Sequence, residues 1–399
     1  MLIRNTHADH DKPLSRDDAE MLGVAASAEA ERLFSHREAY KPTPLHQLPA
    51  LARELGCAAV HVKDEGFRLG LGSFKALGGS YAVVRLTLEE AARRLGRTVD
   101  IGELNSPEVH AVAEGMTFGC ATDGNHGKSV AQGAELVGAK AVIFVHSGVS
   151  QERANAIARF GARIVRVAGN YDDSVAEASR MCAENGWTVV SDTSWPGYER
   201  IPGLVMQGYT AMLGEIVRDL PQPPTHVFVQ AGVGGLAAAV AAHLAIVFAG
   251  RRPFVTVVEP SRAACVLESA RRGLPTKIEH GEATVMAMLE CYEPSLVAWR
   301  ILTRKADAFM TVEEDAAIDA MRRLASPGAG DPAIVAGESG GAGLAGLLTV
   351  SRDPVMRREL GLDHKARVLL INTEGATDPE LYAKLVGRPP ETVRALNSF

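Results

Sequence analysis

Apolar runs alternate with amphipathic stretches along most of the chain, and this alternation predicts its secondary structure. The apolar runs lack the polar–apolar alternation of half-exposed strands, so they indicate strands covered on both faces. Strands of that kind, separated by helices, are parallel and form a doubly wound α/β architecture. The predicted strands are residues 58–65, 139–148, 163–169, 187–194, 225–232, 253–260 and 367–375.

The amphipathic stretches predict helices between these strands. One helix opens at Ser73 and runs to about Arg94, and a glycine-bearing turn covers residues 117–127. The apolar run 236–250 is too short to span a bilayer and carries His243, so we expect a buried helix at residues 235–249. The remaining predicted helices are residues 128–138, 151–162, 174–186 and 206–220.

The chain is longer than one hydrophobic core normally serves, since it has 399 residues. Two domains are therefore expected. We place a large domain at residues 1–90 and 210–399, and a smaller inserted domain at residues 91–209.

Composition excludes several classes of partner. A formal net charge of −6 argues against a nucleic-acid surface and supplies no basic patch for a membrane. The polar N-terminal stretch lacks the apolar core of a signal peptide, so a cytoplasmic protein is expected. No pair among the five cysteines has CxxC spacing, so no metal site is predicted. Free thiols are expected, with a disulfide between Cys265 and Cys291 as the lesser alternative.

The sequence AGVGG (231–235) follows an apolar strand and precedes a helix. Its small residues can bare successive amides at a helix N-terminus, which is an anion cradle. It lacks both the GxGxxG spacing of dinucleotide-binding folds and the GK[ST] of a Walker A loop. Phosphate binding and simple close packing of strand on helix both remain open.

Lys75 lies in GLGSFKALGGS, among small and apolar residues. A solvated lysine at a helix start is the ordinary interpretation. A desolvated lysine has a lowered pKa, and its neutral amine can form a Schiff base. Combined with a phosphate cradle of non-nucleotide spacing, such a lysine suggests pyridoxal phosphate as cofactor.

Five further residues stand in turns or at strand ends. Asn125 and Asp123 lie in TDGNHG, where ordinary turn chemistry is the alternative to a role at a site. Asp192 ends a predicted strand and serves either as a cap or as a site carboxylate. Glu338 in AGESGGAG and Thr373 in NTEG offer a carboxylate and a hydroxyl, with a cap or turn as the alternative.

Taken in order, these segments resemble the pyridoxal-phosphate enzymes of the tryptophan-synthase-β type, called fold type II, and among them the diaminopropionate ammonia-lyases. The resemblance runs from KPTPL (41–45) to TEGATDPELY (373–382). GNHG and SFK are shared across the wider group, whereas DTSWPGY and MLEC are particular to the ammonia-lyase branch. It implies two doubly wound domains with the cofactor in the cleft between them, and a homodimer.

The resemblance also implies roles for residues. Lys75 would bind the cofactor covalently, Asn125 would contact its ring hydroxyl, and Thr373 would face its pyridine nitrogen. The phosphate would lie on Gly232, Val233, Gly234 and Gly235, and Glu338 would join the cofactor-binding set.

Two carboxylates would complete the chemistry that the resemblance implies. Lys75 and Asp123 would take the α-proton of opposite substrate enantiomers, and Asp192 would recognise or protonate the β-amino group. The implied reaction is elimination of 2,3-diaminopropionate to pyruvate and two ammonia. The rivals are a threonine or serine dehydratase or another β-eliminating lyase of this fold, a non-catalytic sensing protein, and a nucleotide-dependent dehydrogenase.

Overall fold

The computed structural model describes residues 1–122 and 124–397, which form eleven strands and seventeen α-helices. The strands are β1 Leu2–Arg4, β2 Leu45–Gln47, β3 Ala59–Asp64, β4 Thr117–Ala121, β5 Lys140–His146, β6 Arg163–Val167, β7 Thr188–Val189, β8 His226–Gln230, β9 Phe254–Pro260, β10 Ala308–Val312 and β11 Arg367–Asn372.

The helices connect these strands, and short 3₁₀ turns occur among them. The helices are α1 Arg16–Met21, α2 Val24–Ser35, α3 Pro49–Leu55, α4 Lys75–Leu95, α5 Pro107–Ala113, α6 Asn125–Val137, α7 Gln151–Ala158, α8 Tyr171–Asn185, α9 Arg200–Asp219, α10 Gly235–Phe248, α11 Cys265–Arg272, α12 Leu296–Lys305, α13 Glu314–Ala325, α14 Ala342–Arg352, α15 Pro354–Leu360, α16 Pro379–Val386 and α17 Pro390–Ala395.

The chain divides into two compact units. The first comprises residues 1–26, 42–74 and 212–399, and the second comprises residues 27–41 and 75–211. The predicted domain boundaries remain a prediction. The second unit differs from the predicted inserted domain because it includes all of helix α4 and the segment 27–41.

The first unit is built on a seven-stranded sheet of order β1-β10-β9-β8-β11-β3-β2. The five inner strands are parallel, and each outer strand is antiparallel to its neighbour. The central strand β8 is buried along its whole length because helices cover both faces. Helix α10, apolar all round, is buried from Gly235 to Leu244, as its composition predicts.

The second unit has a parallel four-stranded sheet of order β6-β5-β4-β7. Helix α4 packs on helix α6 within this unit, with glycines at the closest points. A Cβ on Gly133 would lie 2.7 Å from the Ser80 Cα, so only glycine allows this approach. A Cβ on Gly79 would lie 2.9 Å from the Ser129 Oγ. The small residues that follow Lys75 therefore serve helix packing.

The fold class is α/β, as the sequence predicts, and two details differ. The large sheet is mixed, because β1 and β2 add short antiparallel strands at its edges. Each has only three residues, too few for a hydrophobic pattern to predict a strand. Strand β4 occupies the start of the predicted turn 117–127. Its Gly119 signals a turn in sequence, but here it admits the Cys182 sulfur, which a Cβ would displace.

The carboxyl ends of the parallel strands carry the loops that matter for function, as is usual in open α/β sheets. In the first unit, β8 leads to residues 231–234 and β11 leads to Thr373. In the second unit, β4 leads to the start of α6 and β7 leads to Asp192. Within the described part of the chain, the search for membrane-spanning helices finds none that combines the necessary length and apolar character.

Candidate active site

The turn between β8 and α10, residues 232–235, is called here the glycine turn, and it has the geometry of an anion site. Three of its carbonyl oxygens accept hydrogen bonds, from Cys265 Sγ to Gly232 at 3.7 Å, from Ser295 N to Val233 at 2.9 Å and from Ala238 N to Gly234 at 2.9 Å. Helix α10 has no side-chain cap, and no bond among the described residues uses the amides of residues 232–234. These amides and the helix dipole therefore suit a phosphate.

Glycine is required at two positions of this turn. A Cβ on Gly232 would lie 2.9 Å from the Cys291 sulfur. Gly234 has φ +95°, and its Cβ would lie 3.2 Å from Ala298 and Leu302 side-chain atoms. A larger residue would have to move the turn or strain its backbone.

Thr373 lies just after β11 and is 3% exposed. Its hydroxyl oxygen is 3.0 Å from the side-chain nitrogen of Gln230, which ends β8. The same nitrogen donates to the carbonyl oxygens of Ser339 and Gly340, at 3.1 and 2.9 Å. Glu338, the residue before Ser339, is 2% exposed. The structure therefore brings Thr373 and the Glu338 loop to Gln230, at the end of β8. These residues and the glycine turn are called the glycine-turn cluster.

The segment that precedes Lys75 is tied to the strand end that carries Thr373. Phe74 N donates to Thr373 O at 2.9 Å, and Gly375 N donates to Gly72 O at 3.0 Å. Ser73 and Glu374 form an isolated antiparallel bridge between these bonds. Helix α4 then begins at Lys75, so the start of this helix follows directly from a segment fixed by backbone bonds.

A buried ionic cluster fixes the loop that leads into this segment. The Arg68 guanidinium donates to Glu65 and to Glu215, and Lys63 Nζ lies 2.6 Å from Glu215. All four charged side chains are buried, and Arg68 with Lys63 holds the pKa of Glu215 at about 2 against the effect of burial. Removing one partner would leave a buried charge uncompensated, so this cluster is a structural anchor.

In the second unit, Lys75 Nζ forms an ion pair with the carboxylate of Asp192. The two side chains are 21% and 16% exposed, so the amine is partly shielded from water and is paired with a carboxylate. Burial opposes ionisation of Asp192, but the charge of Lys75 holds the pKa of Asp192 far below its usual range. Asp192 is therefore a carboxylate at any working pH.

The chain just before Asp192 is held by three hydrogen bonds. The Tyr198 hydroxyl accepts from Ser191 N at 3.0 Å and donates to Val189 O at 2.8 Å. His126 Nε2 lies 2.8 Å from Val190 O. Tyr198 also stacks on Trp195, with ring centroids 4.0 Å apart. This bonding places Asp192 on a short loop with little freedom.

Helix α6 carries the remaining predicted residues of the second unit. Asn125 is its first residue and His126 its second, and both are buried. Burial lowers the pKa of His126, and because its Nε2 faces a carbonyl, the neutral ring donates there. Thr122 Oγ1 accepts from Gly124 N and Gly127 N and so shapes the turn before the helix. Asp123 lies outside the described residues.

None of the five cysteines, all within the described residues, forms a disulfide. Burial raises the pKa of Cys265, the thiol that faces Gly232 O. The residues that sequence reasoning missed are Gln230, Tyr198 and Cys265 as partners of site residues. The sequence did carry a signal for Gln230, since it is the one polar residue in VFVQ, the stretch that ends the strand before the glycine turn. Tyr198 and Cys265 had none, apart from the place of Tyr198 in the motif DTSWPGY.

Comparisons with known proteins agree on the family. The sequence profile described as "Pyridoxal-phosphate dependent enzyme" matches residues 36–374. Diaminopropionate ammonia-lyase of Escherichia coli K12 is 39% identical over 369 residues, which cover 90% of this chain and 91% of that protein. The biosynthetic L-threonine dehydratase of the same strain is 27% identical over 78% of this chain and 52% of its own length.

The comparison of folds agrees with the comparison of sequences. The crystal structure of the Escherichia coli diaminopropionate ammonia-lyase in complex with an aminoacrylate-PLP azomethine reaction intermediate superposes with a TM-score of 0.86. It is 36% identical and covers 97% of this chain and 96% of its own. The glycine turn has three engaged carbonyls, and the amides of residues 232–234 make no bond within the described part of the chain, so the turn fits the phosphate of such a cofactor. The chain therefore belongs to the pyridoxal-phosphate dependent enzymes and, among them, to the family of the diaminopropionate ammonia-lyases.

Proposed function

We propose that this protein eliminates both amino groups of 2,3-diaminopropionate with pyridoxal phosphate as cofactor, giving pyruvate and two ammonia. One water enters for each substrate consumed, so atoms balance. The observation that carries this proposal is the carboxylate of Asp192, partly buried and paired with the amine of Lys75. A substrate with a second cationic group needs such a carboxylate.

We propose the cofactor contacts that the family resemblance implies. Lys75 would bind it covalently, and Asn125 would contact its ring hydroxyl. Thr373 would face its ring nitrogen, with Glu338 lining the same site. Its phosphate would take the amides of Gly232, Val233, Gly234 and Gly235. When bound, the cofactor withdraws electrons from the substrate α-carbon and so makes the α-proton acidic.

Asp192 would bind the β-ammonium group of the substrate. Its pKa lies far below the usual range, so it is an ionised partner for a cation rather than a proton donor. It already pairs with one ammonium, that of Lys75, and a substrate ammonium of the same charge can replace it there. An amine leaves as ammonia only when it is protonated, so holding the protonated form favours its departure.

The α-proton would be taken by different groups from the two substrate enantiomers. Lys75 Nζ would take it from one face, and the carboxylate of Asp123 from the other. On this basis Asp123→Asn reduces turnover of the D-isomer far more than that of the L-isomer. Equal losses for both isomers would mean that Asp123 does not act on one face.

A threonine or serine dehydratase is the less supported alternative. An uncharged hydroxyl side chain has no use for an ionised carboxylate at the position of Asp192. The sequence comparison points the same way, since the ammonia-lyase is 39% identical over nearly the full length and the dehydratase 27% over about half of its own.

We further propose that the enzyme is a cytoplasmic homodimer; the family resemblance supports the dimer. Light scattering on the purified holoenzyme would give twice the mass of one chain. A monomer that turns over at the full rate would contradict this.

Product stoichiometry tests the reaction most simply. Purified protein loaded with pyridoxal phosphate is supplied separately with L-diaminopropionate, D-diaminopropionate, L-serine and L-threonine, and keto acid and ammonia are both assayed. We expect two ammonia for each pyruvate from diaminopropionate, and slower turnover of serine and threonine. Preferred turnover of serine or threonine, with one ammonia for each keto acid, would support the dehydratase instead.

A further inference from the structure

We propose that Gln230 is a positioning residue that sets the direction of the Thr373 hydroxyl, so that this hydroxyl donates to the ring nitrogen of the cofactor and keeps it unprotonated. The proposal rests on the role given to Thr373 under Proposed function. It adds the residue that decides whether Thr373 acts as donor or acceptor.

Gln230 occupies a crowded position. It is the last residue of β8 and is 1% exposed. Its side-chain nitrogen lies within hydrogen-bond distance of four oxygens, those of Ser339 O at 3.1 Å, Gly340 O at 2.9 Å, Ile371 O at 3.1 Å and Thr373 Oγ1 at 3.0 Å. Three of these oxygens are carbonyls, which can only accept.

The three carbonyls fix the orientation of the amide. Exchanging its nitrogen and oxygen would place the amide oxygen against three other acceptors, which is repulsive. In the orientation observed, the amide oxygen is buried and has no partner among the described residues. It lies beside Gly343, where a Cβ would be 3.2 Å away. A buried acceptor without a partner destabilises the protein, so this amide has a use other than stability.

Gln230 thereby restricts the Thr373 hydroxyl. A hydroxyl has one proton and two lone pairs, and the amide of Gln230 occupies one lone pair. The hydroxyl proton cannot point at an N–H donor. No acceptor among the described residues takes that proton, and Thr373 O is itself engaged by Phe74 N. The proton is therefore available to a group that accepts, which an unprotonated ring nitrogen does and a protonated one does not.

Nitrogen NMR of the labelled cofactor tests this directly. The holoenzyme is loaded with pyridoxal phosphate carrying ¹⁵N in the ring, and the chemical shift of that nitrogen is followed between pH 6 and 9. We expect the shift of an unprotonated, hydrogen-bonded nitrogen in the native enzyme at every pH. In Gln230→Met the hydroxyl can turn and accept, so the shift moves toward the protonated value as the pH falls. Turnover falls about tenfold, the loss expected for one hydrogen bond, with little change in KM.

Asn372→Leu is the matched control. Asn372 is also a buried amide at this sheet edge and 1% exposed, but it donates to Asp64 and to Val335 O rather than to Thr373. In Asn372→Leu we expect the ¹⁵N shift of the cofactor ring nitrogen to match that in the native enzyme. If both variants move the shift equally, general disruption explains the effect and the proposal fails.

Thr373→Val separates this inference from the function on which it rests. If Thr373→Val moves the shift and Gln230→Met does not, Thr373 faces the nitrogen and the role of Gln230 is overturned. If neither moves it, the assignment of Thr373 fails as well. Should Gln230→Met not fold, the native shift decides alone, because a protonated ring nitrogen in the native enzyme contradicts the proposal.

Discussion

The two clusters of site residues differ in the kind of group they present. Apart from the carboxyl group of Glu338, the glycine-turn cluster of the first unit presents neutral groups, namely backbone amides, the amide of Gln230 and the hydroxyl of Thr373. The second unit presents an ion pair, Lys75 with Asp192, beside a neutral histidine. Fixed dipoles hold a ligand without changing state, whereas charged groups can exchange protons and partners. The first cluster is therefore suited to binding and the second to reaction.

The clusters also differ in what a substitution can damage. The glycine turn acts through its main chain. Adding side-chain atoms there would therefore disturb ligand binding, whereas the turn uses no side chain that a substitution could remove. The Lys75–Asp192 pair acts through side chains, so conservative replacements that keep shape but change charge are the informative ones.

Asp192→Asn tests the reactive cluster most severely. The amide keeps the shape of the carboxylate and loses its charge, so the β-ammonium group of the substrate loses its partner. We expect kcat/KM for diaminopropionate to fall on the order of 100-fold, the scale of a lost catalytic charge. The absorbance of bound cofactor should persist. A loss smaller than threefold, or a loss of cofactor in place of turnover, would contradict the role of Asp192.

Gly234→Ala tests the binding cluster. The backbone there has φ +95°, and the new Cβ would lie 3.2 Å from the Ala298 and Leu302 side chains. Strain on the order of 1–2 kcal/mol should weaken cofactor affinity about tenfold, as measured by titrating the apoenzyme with pyridoxal phosphate. Gly341→Ala is the control, since its Cβ would meet its nearest neighbour at 3.5 Å without unusual φ. Equal affinities for the two variants would argue against a phosphate on this turn.

Tyr198→Phe loosens the loop of Asp192 without touching its charge. The variant loses the hydroxyl that joins Ser191 N to Val189 O. We expect kcat/KM to fall about threefold to tenfold, as for one or two hydrogen bonds. The control is Tyr382→Phe, because the Tyr382 hydroxyl is buried and has no hydrogen-bond partner among the described residues. If both variants behave alike, Tyr198 does not position Asp192.

Glu259→Gln should leave turnover nearly unchanged and alter the pH dependence of stability. Glu259 accepts from Val266 N and Leu267 N, and burial raises its pKa to about 8 despite these bonds. The unfolded chain releases this proton at lower pH, so stability falls as pH rises from about 5 to about 8, by up to about 1.4 kcal/mol per pH unit.

Thermal unfolding of the holoenzyme across that range measures the effect. Glu259→Gln should flatten the decline. Glu268→Gln in helix α11 is the control and should not flatten it, because a hydrogen bond from Arg271 lowers the pKa of Glu268. A decline that persists in Glu259→Gln would mean that Glu259 is ionised in the folded protein.

The strands and helices that position the site, and most of the residues in it, could be predicted from the sequence. An apolar run followed by glycines is enough to predict β8, its turn and α10, because burial and chain reversal are local properties. The pairing of Lys75 with Asp192 is different, since 117 positions separate them and no pattern within either segment signals the other. Only the family resemblance brought both into one hypothesis.

Local signals also misled where packing decided the outcome. Gly119 predicts a turn in isolation, yet it lies in strand β4 because the Cys182 sulfur occupies the space of a side chain. The glycines after Lys75 look like a ligand-binding feature, yet they admit the side chains of neighbouring helices. Gln230 looks like an ordinary strand end, and its importance depends on three carbonyls brought from residues 339–371 by the fold.

The central claim is that the amine of Lys75 carries the cofactor. Holoenzyme treated with borohydride fixes the lysine–cofactor bond, and mass spectrometry of the digest then locates the added group. The account predicts one phosphopyridoxyl group per chain, on the peptide that contains Lys75, and none in Lys75→Ala, which should also lose turnover. Modification of another lysine, or full turnover by Lys75→Ala, would contradict it.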